Sequence, residues 1–158
     1  MKTIAALTLA AALFAAPMTV QAAGHVSPTG VVTIESAHDA ATTIDRLAAA
    51  VEGAGAKVFA RIDHTAGAAS VDLELRPTVL LIFGNPKLGT GPMQAAQTMG
   101  MELPLRVVAW TDEAGKTFVS YNDPASVAAR HGVASDHKAV KMMTGALGKL
   151  TGKATAAE

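Results

Sequence analysis

The chain of 158 residues contains no cysteine, one tryptophan, one tyrosine and no formal net charge. Without cysteine there is no disulfide, no thiol catalysis, no iron–sulfur cluster and no cysteine-ligated zinc. Few aromatic rings and much alanine mean that the core must come from helices packed closely on a sheet, not from large side chains. Balanced charge removes the electrostatic basis for binding nucleic acid. Beyond the start of the chain no apolar run is long enough to span a bilayer, so no stable membrane insertion of the folded part is expected.

The one long apolar run opens the chain. MKTIAALTLAAALFAAPMTVQA carries Lys2, an apolar stretch from Ile4 to Ala16, then Pro17 and the small-residue ending Val20-Gln21-Ala22. These are the n-region, h-region and cleavage site of an export leader, cut after Ala22. The expected product is periplasmic or secreted. Without Lys2 its basic residues fall one short of the 13 acidic ones. Residues 23–158 suit one domain: a flexible start over 23–30, a folded unit over 31–150 and a disordered polar tail over 151–158.

Within that unit the pattern alternates. Val31 to Ile34 is β-branched and predicts a strand. Ser36 caps a helix whose apolar face is Ile44, Leu47, Ala48 and Val51, ended by Gly53 and Gly55. Lys57 to His64 alternates as a second strand, with Val58, Ala60 and Ile62 on one side and Phe59, Arg61 and Asp63 on the other. Thr65 caps a short helix over about Ala66 to Leu73, which Pro77 ends by holding Arg76 extended. Thr78 to Phe83 is continuously apolar, as in a central strand. Thr90 or Gly91 then opens a helix with Pro92 in its first turn, running to Met99. Leu105–Thr111 and Lys116–Tyr121 form a hairpin about Asp112-Glu113-Ala114-Gly115. Asp123-Pro124 starts a short helix, and Ser135 a last one striped by Val140, Met143, Leu147 and Leu150. The order β-α-β-α-β-α-β-β-α-α predicts an α+β fold. It is a two-layer α/β sandwich, with about five strands in a mixed, largely antiparallel sheet and helices mainly on one face.

The stretch LIFGNPKLGTGP, from Leu81 to Pro92, invites comparison with phosphate loops. It is neither of the familiar kinds. Lys87 precedes the second glycine instead of following it, and Pro86 removes an amide donor. The dinucleotide fingerprint is absent. What remains is a strand end, a turn and a helix start, where free amides and Lys87 would favour an anion. The five histidines show no metal-ligand spacing, so no metal and no other cofactor is expected. Met93 and Met99, six residues apart on one helix, would face different ways and serve as core filler. No nucleophile elbow marks a catalytic serine. No catalytic residue can be assigned, and a non-catalytic role is expected.

Several segments together resemble the domain of unknown function 302 family. They are Ile62-Asp63-His64, Leu73 to Thr78, Phe83-Gly84-Asn85-Pro86-Lys87-Leu88-Gly89-Thr90, Leu103-Pro104-Leu105-Arg106 and Ser120-Tyr121-Asn122-Asp123-Pro124. The resemblance implies a compact two-layer α/β fold, with a homodimer as one arrangement, and it implies no activity. It groups His64, Arg76, Gly84, Asn85, Lys87, Gly89, Thr90, Tyr121 and Asn122 at element boundaries. The first expectation is that they surround a strand-end pocket for a small polar or anionic ligand, rimmed by the Gly84–Gly91 loop. The alternative is a structural or protein-interaction module. In it a homodimer partner covers the open sheet face, for which Phe59, Val108, Trp110 and Phe118 are the candidates.

Overall fold

The computed structural model describes residues 25–157; the expected leader lies outside the described residues. Six strands form one sheet: β1 (His25–Val26), β2 (Val31–Ser36), β3 (Lys57–Asp63), β4 (Thr78–Gly84), β5 (Leu105–Thr111) and β6 (Thr117–Asn122). Their spatial order is β1-β2-β6-β5-β4-β3, and every pairing is antiparallel. The helices are α1 (Ala40–Gly53), α2 (His64–Ala69), α3 (Pro86–Ala95), α4 (Pro124–Arg130) and α5 (Lys138–Thr155), with a 3-10 turn over Gln97–Met101. The α+β fold and the element order follow the sequence pattern. The sheet is wholly antiparallel instead of mixed.

Pairing register decides which face is buried. Val32 and Val107 both lie opposite Tyr121, Ala109 lies opposite Val119, and Leu81 lies opposite Val107. These side chains share one face and are buried against α1 and α5. Ile44, Leu47 and Val51 of α1 are wholly inaccessible, and Leu147 of α5 is nearly so. Burying a side chain of this size stabilises the fold by about 1.5–3 kcal/mol. The opposite face carries Leu80, Ile82, Val108, Trp110 and Phe118, all half-buried. Trp110 and Phe118 stack at 5.1 Å between ring centroids. The Trp110 indole donates to Ser120 Oγ at 2.9 Å.

The edges of the domain depart from expectation. Residues 25–30 are structured: β1 pairs with β2, and Gly30 turns the chain at φ 79° against Ser126. The tail is ordered too. Helix α5 runs to Thr155, and Thr151, Ala154 and Thr155 are buried. Small residues made this stretch look weak, but their size lets α5 lie close to its neighbours. Asp39, not Ser36, caps α1, accepting from the Thr42 amide at 2.8 Å. Asp63, not Thr65, caps α2, and the ring of His137 caps α5 in place of Ser135. In β3 a bulge between Val58 and Ala60 breaks the alternation. Val58 stays with the core, whereas Ala60 and Ile62 align with Ile82 and Leu80 of the open face. Arg61 therefore faces the helices and pairs with Asp45 of α1.

Candidate functional site

The loop that was expected to rim a pocket is itself helical. Asn85 is the N-cap of α3, its Oδ1 accepting from the Lys87 amide at 2.9 Å, and Pro86 follows at the first helical position. An Asx cap followed by proline is a strong helix start. Gly89, Thr90 and Gly91 are therefore turns of a helix, and Pro92 lies inside it. The helix ends at Ala95, and the chain re-enters as the 3-10 turn. That break overturns the expectation that Met93 and Met99 face different ways, while both serve as core filler as expected. Met99 is buried and Met93 packs on the same cluster, because they are not on one continuous helix.

Between this helix, the end of β4 and α5 lies a cavity of about 280 Å³. Phe83, Leu88, Met93, Leu103, Met143 and Leu150 line it. Small residues create the space. Gly89 contributes no side chain, and Ala146 lies on the same α5 face as Met143 and Leu150, at helical spacing between them. A methyl group at Gly89 would meet Leu103 and Met93 at 3.6 and 3.9 Å, ordinary contact distances, so no steric demand explains the glycine. Asn85 and Thr90 are the only lining residues with polar side chains. Asn85 is already used: it caps α3 and its Nδ2 donates to Gly55 O at 3.4 Å.

The nine residues expected to converge fall into separate places. Gly84, Asn85, Gly89 and Thr90 line the cavity. Lys87 is exposed on α3 and is not part of the wall. Asn122 ends β6 at this end of the sheet but borders a separate dimple of about 30 Å³. Tyr121 points into the core. Burial first, and then the charge of Asp123, push its phenol above the ordinary range, against a hydrogen bond with Thr151. His64 and Arg76 lie at the opposite end of the sheet, a strand length of about 20 Å away. Arg76 Nε donates to Thr111 O at 3.1 Å, and its Nη1 is 3.6 Å from Glu113. Antiparallel pairing of β3 with β4 explains the separation. Both residues flank the start of β4, and the loop follows its end.

Phe59, Met93, Leu103, Pro104, Met143, Ala146 and Leu150 were missed as site residues. The wall is apolar, so no polar motif in the sequence marks it. The one available sign was Ala146 interrupting an otherwise large apolar stripe. Phe59, expected on the open face with Val108, Trp110 and Phe118, stands instead at the bulge beside Gly84 and lines the cavity. Lys57, the strand partner of Gly84, holds its ammonium 5.6 Å from the Phe59 ring centroid.

Beside the cavity a charged cluster braces its wall. Glu102 follows the 3-10 turn and lies 3.2 Å from Arg106, 3.3 Å from Arg130 and 3.4 Å from His131. The ring of His131 also bonds Thr98 at 2.9 Å. Burial raises the Glu102 carboxyl, but His131, Arg130 and Arg106 together hold it below the usual range. Among the described residues no three His, Asp or Glu side chains gather as metal ligands, and no helix is long and apolar enough to cross a membrane.

Comparison with known proteins adds three relatives and a fold. The chain is 49% identical over 118 residues to "Fluoride-specific ion channel FluC 1" of Brucella suis biovar 1, covering 73% of this chain and 46% of that protein. It is also 49% identical over 118 residues to "Fluoride-specific ion channel FluC 1" of Brucella abortus and "Fluoride-specific ion channel FluC 2" of Brucella melitensis, covering 44% of each. The chain thus spans less than half the length of these relatives. A crystal structure of an uncharacterized conserved DUF302 protein from Bacillus stearothermophilus superposes with a TM-score of 0.72 at 17% identity, covering 79% of this chain and 98% of that one. The family described as "Domain of unknown function DUF302" matches residues 32–150, and the chain belongs to it.

Proposed function

We propose that the chain is an exported, non-catalytic binding domain that takes a small, mainly apolar molecule into the cavity beneath α3. The observation carrying this reading is the wall: an open-mouthed space of about 280 Å³ lined mainly by aliphatic, methionine and phenylalanine side chains. Ligand pockets begin near about 300 Å³ and are mostly apolar with a few polar groups. A wholly polar or ionic ligand would lose its hydration here with only Asn85 and Thr90 to replace it. The loop therefore serves the site by shape, and the wall favours a ligand whose inserted part is apolar over one that is polar throughout. Calorimetric titration with 1-octanol tests the reading. Binding to the native chain and its loss in Ala146→Phe, which fills the cavity, is the expected result; no heat with either protein would sink it.

The named relatives guide the setting. Membrane pores are built from spanning helices or closed barrels; among the described residues no helix is long and apolar enough to cross a membrane, and the cavity wall holds no cation for fluoride. We assign the domain an accessory role beside a membrane ion channel rather than the pore itself. Adding the domain to vesicles containing a fluoride channel should change the fluoride efflux rate; an unchanged rate would end this assignment.

A second reading is favoured by the stacked Trp110 and Phe118 on the open face. It is a homodimer closed over that face. Sedimentation should then show a dimer that Val108→Glu dissociates, whereas a monomer at high concentration removes the reading.

A further inference from the structure

The charges around the cavity identify its ligand more closely, on the assumption that the cavity binds a ligand at all. No lining residue is charged, yet the flanking positions are one-sided. Lys57, Lys87, Lys141 and Lys149 each lie within two positions of a wall residue and make no ion pair among the described residues. Arg61, Arg106 and Glu102 are flanking too, but they are engaged with Asp45 and with each other. Glu52 is the one flanking carboxylate without an ion pair among the described residues. Of the four lysines, Lys57 has a defined place at the rim. It pairs across the ladder with Gly84, and its ammonium stands 5.6 Å from the Phe59 ring centroid. Gly84 and Phe59 both line the cavity.

We infer that the ligand is a medium-chain carboxylate, its alkyl chain in the cavity and its head group at the Lys57 ammonium. The size follows from the volume. At about 30 Å³ for each heavy-atom-sized group, the cavity of about 280 Å³ holds on the order of nine such groups. The head group follows from the chemistry. A carboxylate at the rim keeps much of its hydration and gains an unpaired cation, whereas inside the wall it would gain neither. An alkylammonium of equal length would meet that cation with like charge. Phe59 links the two parts of the site: its ring lines the cavity and also stands 5.6 Å from the lysine ammonium.

Calorimetric titration of the full chain with octanoate, 1-octanol and octylammonium at one ionic strength tests the inference. Methyl resonances of Met93 and Met143 are followed in parallel. Octanoate is expected to bind about fivefold tighter than octanol, and octylammonium most weakly. Lys57→Gln should abolish the preference for octanoate and leave octanol binding as it was. Lys116→Gln, at the far end of the sheet, should change neither. Both methionine methyls should shift with octanoate and with octanol. Equal affinity for octanoate and octanol, or a preference that survives Lys57→Gln, overturns the carboxylate while leaving the cavity as a site. Absence of binding by all three, with unmoved methionine methyls, overturns the cavity reading and the carboxylate together.

Discussion

The two ends of strand β4 look alike on paper and differ in the fold. Each is followed or preceded by polar residues, a helix start and a proline. At the Gly84 end α3 and α5 meet over the strand, and a cavity opens between them. At the Thr78 end α2 has no buried residue, and every residue from Ala69 to Pro77 is exposed. Val71, Leu73 and Leu75 stand in solvent there, 63%, 65% and 45% accessible. A strand end borders a cavity only where two further elements meet over it, and residue chemistry at the turn does not announce that.

Core truncation should break this comparison most sharply. Phe83→Ala, at the cavity end, is expected to cost about 3–5 kcal/mol in urea unfolding. Leu73→Ala, at the exposed end, should stay within about 0.5 kcal/mol. Comparable losses would mean that the α2 segment is packed by something outside the domain. The two caps give a smaller contrast. Asn85→Ala should cost about 1 kcal/mol. Asp63→Ala makes the same loss of an N-cap, but α2 buries nothing, so unfolding by denaturant should register less of it.

Acid should act at the cavity end. The Glu102 carboxyl is held below its ordinary 4.5, so its stabilisation is present above that pH and is lost as pH falls through the lower folded value. Urea midpoints should therefore fall below about pH 4.5, and Glu102→Gln should flatten that limb in part. The residual slope belongs to Asp39, also lowered, by hydrogen bonds from the backbone and side chain of Thr42. The smallest effect is at the exposed end. Arg76→Ala breaks an ion pair between side chains 54% and 88% accessible, and the midpoint should move by less than about 0.5 kcal/mol equivalent.

The element order was legible because apolar periods of two and of about 3.6 alternate along the chain and few residues contradict them. Helix starts were legible only roughly. Ser36, Thr65 and Ser135 were plausible caps, but Asp39, Asp63 and His137 took the positions, since a cap is chosen by where the helix can pack. The bulge at Phe59 left no trace in an alternating strand. It moved one ring from the open face to the cavity rim.

By itself the sequence determined the alternating elements, the α+β class, the missing disulfides and the family signature Gly84-Asn85-Pro86-Lys87, since these depend on local pattern and composition. Only the tertiary structure decided that His64 and Arg76 sit a strand length from that signature, that residues 151–155 complete the last helix, and that the cavity wall is apolar. Each of those rests on which distant residues register and sheet order bring together, and a single chain read in order does not contain that information.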